Sequence, residues 1–288
     1  MENFHTIAEL LRLASERQVP VHEIVLMVEA DQSQRSREEL IEGMRKNWQV
    51  MREAVKKGLK GGIRSVSGLT GGDAPKLYRH QLTGFLGQAA VSTAAFAVAA
   101  SEVNASMGRI VACPTAGSCG IVPAVMMEAY EQGIEEERIV MALFTAAGIG
   151  MVVDENASIA GALGGCQAEC GTAAGMAAAA MAELGGGSPE QIGHATALAI
   201  KNLLGLACDP VAGLVEVPCV KRNGFVAVHA MLAADMALAG VESVIPVDEV
   251  IDAMDRIGRA MPRDIKETAE GGLATTKTGL ALQKKIYG

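Results

Sequence analysis

Aromatic side chains are scarce in this 288-residue sequence: one Trp, three Tyr and five Phe make up 3% of it, although half of all residues are hydrophobic. Sheet cores are rich in β-branched and aromatic residues; here Ala, Gly and Met stand in their place, and small or flexible side chains let helix backbones pack closely. Basic charge is also short. A net charge of −8 excludes a protein whose main task is gripping nucleic acid, which needs clustered Lys and Arg. The longest uninterrupted apolar run, "IVMALFTAAGIGMVV" at 139–153, falls short of the roughly 18–20 residues of a membrane span. The opening "MENFHTIAELLRLASERQ" reads as a charged amphipathic helix, not as a basic stretch followed by an apolar core. Neither G-x-x-x-x-G-K-[ST] nor a C-x2-C pair occurs, which removes the P-loop and the tight-knuckle zinc site. A soluble cytoplasmic protein is expected. In that reducing compartment six cysteines are thiols, metal ligands or reactive groups rather than disulfides.

What is present is helix signal. Phe4, Ile7, Leu10, Leu11 and Ala14 form one stripe, and Pro20 opens a second short helix to about Ala30. Ser36 with Glu39 makes a capping box ahead of Leu40, Ile41, Met44, Trp48, Met51, Val55 and Leu59, which share a face of a long helix. Arg45, Lys46, Arg52, Lys56, Lys57 and Lys60 lie on its other face, either as solvated charge or as a dock for an acidic partner. The Gly/Ser break "GGIRSVSGLTGGDAPK" (61–76) separates an N-terminal helical lead, 1–60, from the main body, 61–288, the two expected to form one continuous unit. Further helices are predicted near 80–103, 121–132, 135–152, 157–184, 189–204, 222–240 and 247–260, with Ser188 and Gln191 as another capping box. No period-two alternation demands a sheet. The predicted fold is all-α: a compact bundle of small-residue-rich helices with Gly/Pro-rich loops.

Two loops, "SGLTGGD" (67–73) and "CPTAGSCG" (113–120), combine Gly with Ser or Thr just before a helix. Backbone N–H groups at a helix start, flanked by hydroxyls, suit a small carboxylate or phosphate, and they also suit ordinary N-capping. The cysteines divide by setting. Cys166 in "GALGGCQAECG", with Cys208 and Cys219 in "GLACDPVAGLVEVPCVKRN", lies beside Gly or Pro, where a metal can approach the backbone. Soft thiolates gathered from separate loops select zinc or an iron–sulfur cluster; small buried hydrophobes are the competing reading.

The blocks "SGLTGGD", "CPTAGSCGIVPAV", "GALGGCQAECG", "GLACDPVAGLVEVPCVKRN" and "KETAEGGLA" resemble the iron–sulfur-dependent L-serine dehydratases, also called L-serine ammonia-lyases, and specifically the α chain of their two-chain form. The likeness runs from about residue 60 to 280. It implies a [4Fe–4S] cluster on Cys166, Cys208 and Cys219, with one iron left open to act as a Lewis acid on the hydroxyl of serine, and pyruvate and ammonia as products. Thr70, Gly71, Asp73, Thr115 and Ser118 in the two loops would then orient the substrate carboxylate, and Asn223 would bind substrate or a cluster sulfide. Cys113, Cys119 and Cys170 are left as buried or near-site thiols.

The chain also departs from the family pattern. The G-P-S-S-S-H-T segment of single-chain members is absent, so a separate β chain is expected to carry it, and with it the catalytic base. Within this chain, His80 is the histidine to test as an acid or base. The chain ends in "KKIYG", not in the cysteine that caps the open iron in some relatives. Three other readings stay open: an L-cysteine desulfidase using the same cluster, a pyridoxal-phosphate enzyme with Lys277 of "ATTKTG" as Schiff base, and a cluster-bearing subunit without catalysis. Homo- and hetero-oligomers both fit this reading.

Overall fold

The computed structural model describes residues 2–288. Among them thirteen α-helices and no β-strand occur, the all-α fold expected from the small-residue composition. They are α1 (Ile7–Arg17), α2 (Val21–Ser33), α3 (Arg37–Lys60), α4 (Ala74–His80), α5 (Gln88–Ala105), α6 (Ile121–Glu131), α7 (Glu136–Asn156), α8 (Gly161–Gly164), α9 (Thr172–Leu184), α10 (Pro189–Lys201), α11 (Cys219–Leu238), α12 (Val247–Ala260) and α13 (Lys277–Tyr287).

The centre is α9. It packs against α7, α10, α11 and α6, and from Thr172 to Ala180 every residue is buried. Residues this small cover little area singly, but they let helix axes close in so that dispersion contacts accumulate along the whole length. The second layer is α5, wrapped by α3, α4, α6 and α11. The capping boxes form as the sequence indicates: Ser36 with Glu39 starts α3 and Ser188 with Gln191 starts α10. A third, Thr6 with Glu9, starts α1.

The lead segment is woven into this core. Trp48 and Val55 of α3 are fully buried, α1 and α2 pack on α10 and α7, and α3 packs on α5. Part of its charged face is used internally: Arg52 pairs with Glu136 at 2.6 Å and Arg45 with Glu137 at 2.9 Å, both at the start of α7. That helix is long and apolar enough to cross a membrane, but most of its apolar stretch is buried within the bundle.

Two expected helices are interrupted. The helix expected at 80–103 begins only at Gln88, as α5, because 81–87 is an exposed connection from α4 in which Gly84 and Gly87 weaken the helix. The run at 157–184 divides into α8, a π turn at Gln167–Gly171, and α9. The second interruption adjoins Cys166. The C-terminal α13 has no counterpart among the predicted helices.

Candidate active site

Cys166 stands at the entry to the π turn, a wide helical turn often found at functional sites. Gln167, fully buried, fixes this turn by donating to Met254 O and accepting from Gly205 N–H, both at 2.8 Å. The same loop continues to Cys208, held by a backbone exchange in which Cys208 N–H donates to Ile265 O and Glu267 N–H donates to Cys208 O, at 2.8 and 2.7 Å. Cys219 is the first residue of α11. Three segments distant in sequence thus bring Cys208 within hydrogen-bond reach of Cys166 and Cys219 within range of its charge, all three thiols buried and none in a disulfide.

The thiols interact. Cys166 Sγ lies 3.3 Å from Cys170 Sγ. Hydrogen bonds from Cys170 and Cys208, reinforced by the Arg222 guanidinium, hold the Cys166 thiol well below its ordinary range despite burial. Their partners shift the opposite way: Cys170 and Cys208 are raised, chiefly by their hydrogen bonds with Cys166, and so hold their protons. Burial, then the Cys166 charge, pushes Cys219 up to about 12. Arg222 is half-buried; it donates to Ala207 O at 2.9 Å and pairs with Asp209 at 3.4 Å, and Asp209 in turn accepts from Leu273 N–H at 2.8 Å. The Cys166 thiol and the Arg222 guanidinium therefore share one recess.

Two carboxylates face that recess. Glu169 accepts from the Thr115 hydroxyl at 2.7 Å, and burial pushes its carboxyl up to about 7 against that bond. Glu267 approaches from the 263–276 segment with a left-handed backbone, φ 62. Both meet over Gly161. A Cβ there would fall 2.8 Å from Glu169 Oε2 and 3.1 Å from Glu267 Oε2, so a side chain at this position would push the two acids aside. A non-glycine residue held at positive φ is a local cost of order 1–3 kcal/mol and is concentrated at functional sites.

The two hydroxyl-bearing loops come out differently. In 113–120, Ser118 is fully buried and donates to Cys113 O at 3.3 Å, closing the loop on itself, while Thr115 faces Glu169. Ala116 and Gly117 open a short 3-10 turn, whose first N–H groups have no acceptor within the turn. Asn223, fully buried, ties this loop to α11: its Nδ2 donates to Gly117 O and Cys219 O at 2.8 and 2.9 Å, and its Oδ1 accepts from Gly120 N–H at 2.9 Å. In 67–73, Glu102 of α5 takes the N–H of Asp73 at 2.7 Å, while the N–H groups of Gly68, Leu69 and Thr70 go to Ser65 and Ser67. That loop's donors are thus answered from inside the protein. Thr70 is buried with its hydroxyl unpartnered. A Cβ on Gly71, at φ 136, would run 2.4 Å from Ile63 O. Asp73 turns outward to Lys221 and Lys76, each at 2.7 Å.

His80 ends α4, exposed, its Nδ1 3.1 Å from Thr83 Oγ1, and it touches none of the thiols or carboxylates. Lys277 is exposed at the start of α13, without the buried cup a pyridinium phosphate needs. Glu169, Arg222 and Glu267 escaped the sequence reading. Their one signal was adjacency, since each lies within three residues of a cysteine or inside the quoted "KETAEGGLA" block.

The chain was compared with known proteins. Residues 16–274 match the family described as "Serine dehydratase alpha chain". The chain belongs to that family. It is 50% identical over 288 residues to the "Probable L-serine dehydratase, alpha chain" of Bacillus subtilis, covering 99% of this chain and 96% of that one. The "L-serine dehydratase, alpha chain" of Peptoniphilus asaccharolyticus is 41% identical over 283 residues, with 97% of each chain covered. The "L-serine dehydratase" of Streptomyces coelicolor is 42% identical over 280 residues, which make up 94% of this serine dehydratase α chain but only 60% of that protein.

As to what the site could hold, no group of three or more His, Cys, Asp or Glu side chains among the described residues is arranged around one metal ion. Cys166, Cys208 and Cys219 offer sulfur from three segments, with the Arg222 guanidinium beside Cys166. That is the chemistry of a polynuclear iron–sulfur centre, and the residues fit it.

Proposed function

We propose that this chain is the cluster-bearing α chain of a cytoplasmic L-serine ammonia-lyase that converts L-serine to pyruvate and ammonia together with a separate β chain. The observation that carries the reading is the convergence of Cys166, Cys208 and Cys219 beside Arg222, in a protein of the serine dehydratase α-chain family. Cys166, Cys208 and Cys219 would hold a [4Fe–4S] cluster, which when bound supplies a Lewis-acid iron for the departing hydroxyl. Cys170 stays a thiol beside Cys166.

The chain's other residues bind and orient. Glu169 and Glu267 receive the α-ammonium of serine between them over Gly161. The N–H groups of Ala116 and Gly117, with the Thr115 hydroxyl, take the substrate carboxylate. Asn223 and Ser118 position that loop rather than touch substrate, since their polar atoms are engaged internally. Thr70, Gly71 and Asp73 likewise act through the Asp73–Lys221 pair. The Cα proton leaves to a base on the β chain, His80 being turned away. Loss of water gives aminoacrylate; its imine tautomer takes up water and releases pyruvate and ammonia.

The test is anaerobic reconstitution with iron and sulfide, with and without the β chain, followed by pyruvate release from serine and from cysteine side by side. Pyruvate from serine that vanishes in Cys166→Ala supports the reading. Equal turnover in that variant overturns it, and preference for cysteine reassigns the substrate.

A further inference from the structure

Five large apolar side chains stand in solvent around α11 and the connection that precedes α5. Leu82, Phe85 and Leu86 in 81–87 are 76, 108 and 71% exposed, and Phe225 and Leu232 on α11 are 79 and 58% exposed. On α11 they belong to one stripe, Lys221, Phe225, Val228 and Leu232, at helical spacing. The two groups are neighbours because α5 and α11 run antiparallel: the Cβ position of Gly224 meets Val98 and Ala94, while Thr93 reaches Met231 Sδ at 3.0 Å. The chain entering α5 therefore emerges beside the later turns of α11. At the other end the Lys221–Asp73 pair joins α11 to the start of α4. Large apolar side chains left in solvent on neighbouring elements mark an interaction site.

What covers it follows from chain length and position. This chain matches 96–97% of its α-chain relatives but 60% of the Streptomyces coelicolor protein. About two-fifths of that longer protein has no counterpart here. A module supplied as a separate chain has no tether, so it must bind through surface alone. The exposed stripe is well placed for it. Phe225 follows Cys219 by six residues, about 9 Å along the helix axis, so a body seated on the stripe borders the thiols and the 67–73 loop. We propose that the outer face of α11, with Leu82, Phe85 and Leu86, is the docking surface for the β chain, which would present a matching apolar patch. This rests on the two-chain reading above.

The test uses the α/β pair, co-expressed with a tag on the β chain and purified anaerobically. Phe225→Arg, and separately Phe85→Arg, should cut recovery of α with β at least tenfold, while the circular dichroism and thermal midpoint of free α stay unchanged. Phe225→Leu should retain capture. Val244→Arg, equally exposed but beyond the far end of α11, should also leave capture intact. Should Phe225→Arg fail to fold, Phe225→Ser serves in its place. Wild-type capture by the Arg variants overturns the proposal. So does loss of α self-association with β capture intact, which assigns the face to a second copy of this chain. The functional reading fails separately, if the intact wild-type pair releases no pyruvate from serine.

Discussion

The loops at 67–73 and 113–120 look alike in sequence, each with glycine and hydroxyls ahead of a helix, and each is met by a buried glutamate. The glutamates make them different. Glu102 rises from the last turn of α5, 1% exposed, and takes the N–H of Asp73 at the end of the first loop. Glu169 comes from a widened turn next to Cys166, takes only a hydroxyl from the second loop, and faces a second carboxylate. One loop is closed by its own protein and can only hold shape. The other still has donors and acids to offer. The same local sequence grammar thus yields a brace in one case and a binding wall in the other, and the deciding residue lies elsewhere in the chain.

The contrast can be broken at several strengths. The largest effect is expected at the thiols: Cys166→Ala, Cys208→Ala or Cys219→Ala should each lower bound iron and turnover below about one hundredth, since even outer-shell changes at metal sites cost 10–100-fold. Cys113→Ala, whose thiol bonds only the backbone of Val111 and Cys119, should keep its iron. Next, Glu169→Gln and Glu267→Gln should each lower kcat/KM for serine by roughly 10- to 100-fold, the worth of about 1.5–3 kcal/mol for a charged hydrogen bond, with the loss chiefly in KM. Glu102→Gln, matching them in chemistry, should leave KM unchanged; an equal rise in KM would erase the distinction between the loops. Asn223→Ala should cost about 1–3 kcal/mol of stability by orphaning the Gly120 and Gly117 groups it satisfies, read as a lowered thermal midpoint.

The smallest effect concerns pH. Burial raises the Glu102 carboxyl above its ordinary value, so the folded state favours its neutral form. The stability this contributes is fully present below the unfolded carboxyl pKa of about 4.3 and is lost as pH rises through the raised folded value. Glu102→Gln, neutral throughout, should flatten the thermal midpoint against pH on that mildly acidic side. An unchanged slope would place Glu102 outside the group responsible.

Much of this was legible beforehand. The absence of aromatics and the Ala/Gly/Met content announced close helix packing, and the Pro- and Gly-flanked setting of Cys166, Cys208 and Cys219 set those thiols apart. Glu169 was not legible, because an acid between two cysteines on a helical pattern reads as a solvated residue. Only the π turn, which depends on Gln167 reaching Met254 and Gly205, aims it inward. The break at 81–87 was hidden because Gln81, Leu82, Phe85 and Leu86 all suit a helix. The tie between Glu102 and Asp73 spans nearly thirty positions and leaves no periodic trace.

The first turns of α11 carry Cys219, Arg222, Asn223 and Phe225 on a single rigid rod, so nothing flexible separates its outer surface from the sulfur recess. Loading of iron and arrival of a second subunit would then be linked equilibria. By reciprocity, whatever factor the subunit gains from the filled recess, the recess gains from the subunit, and chelation should loosen the pair by that same ratio.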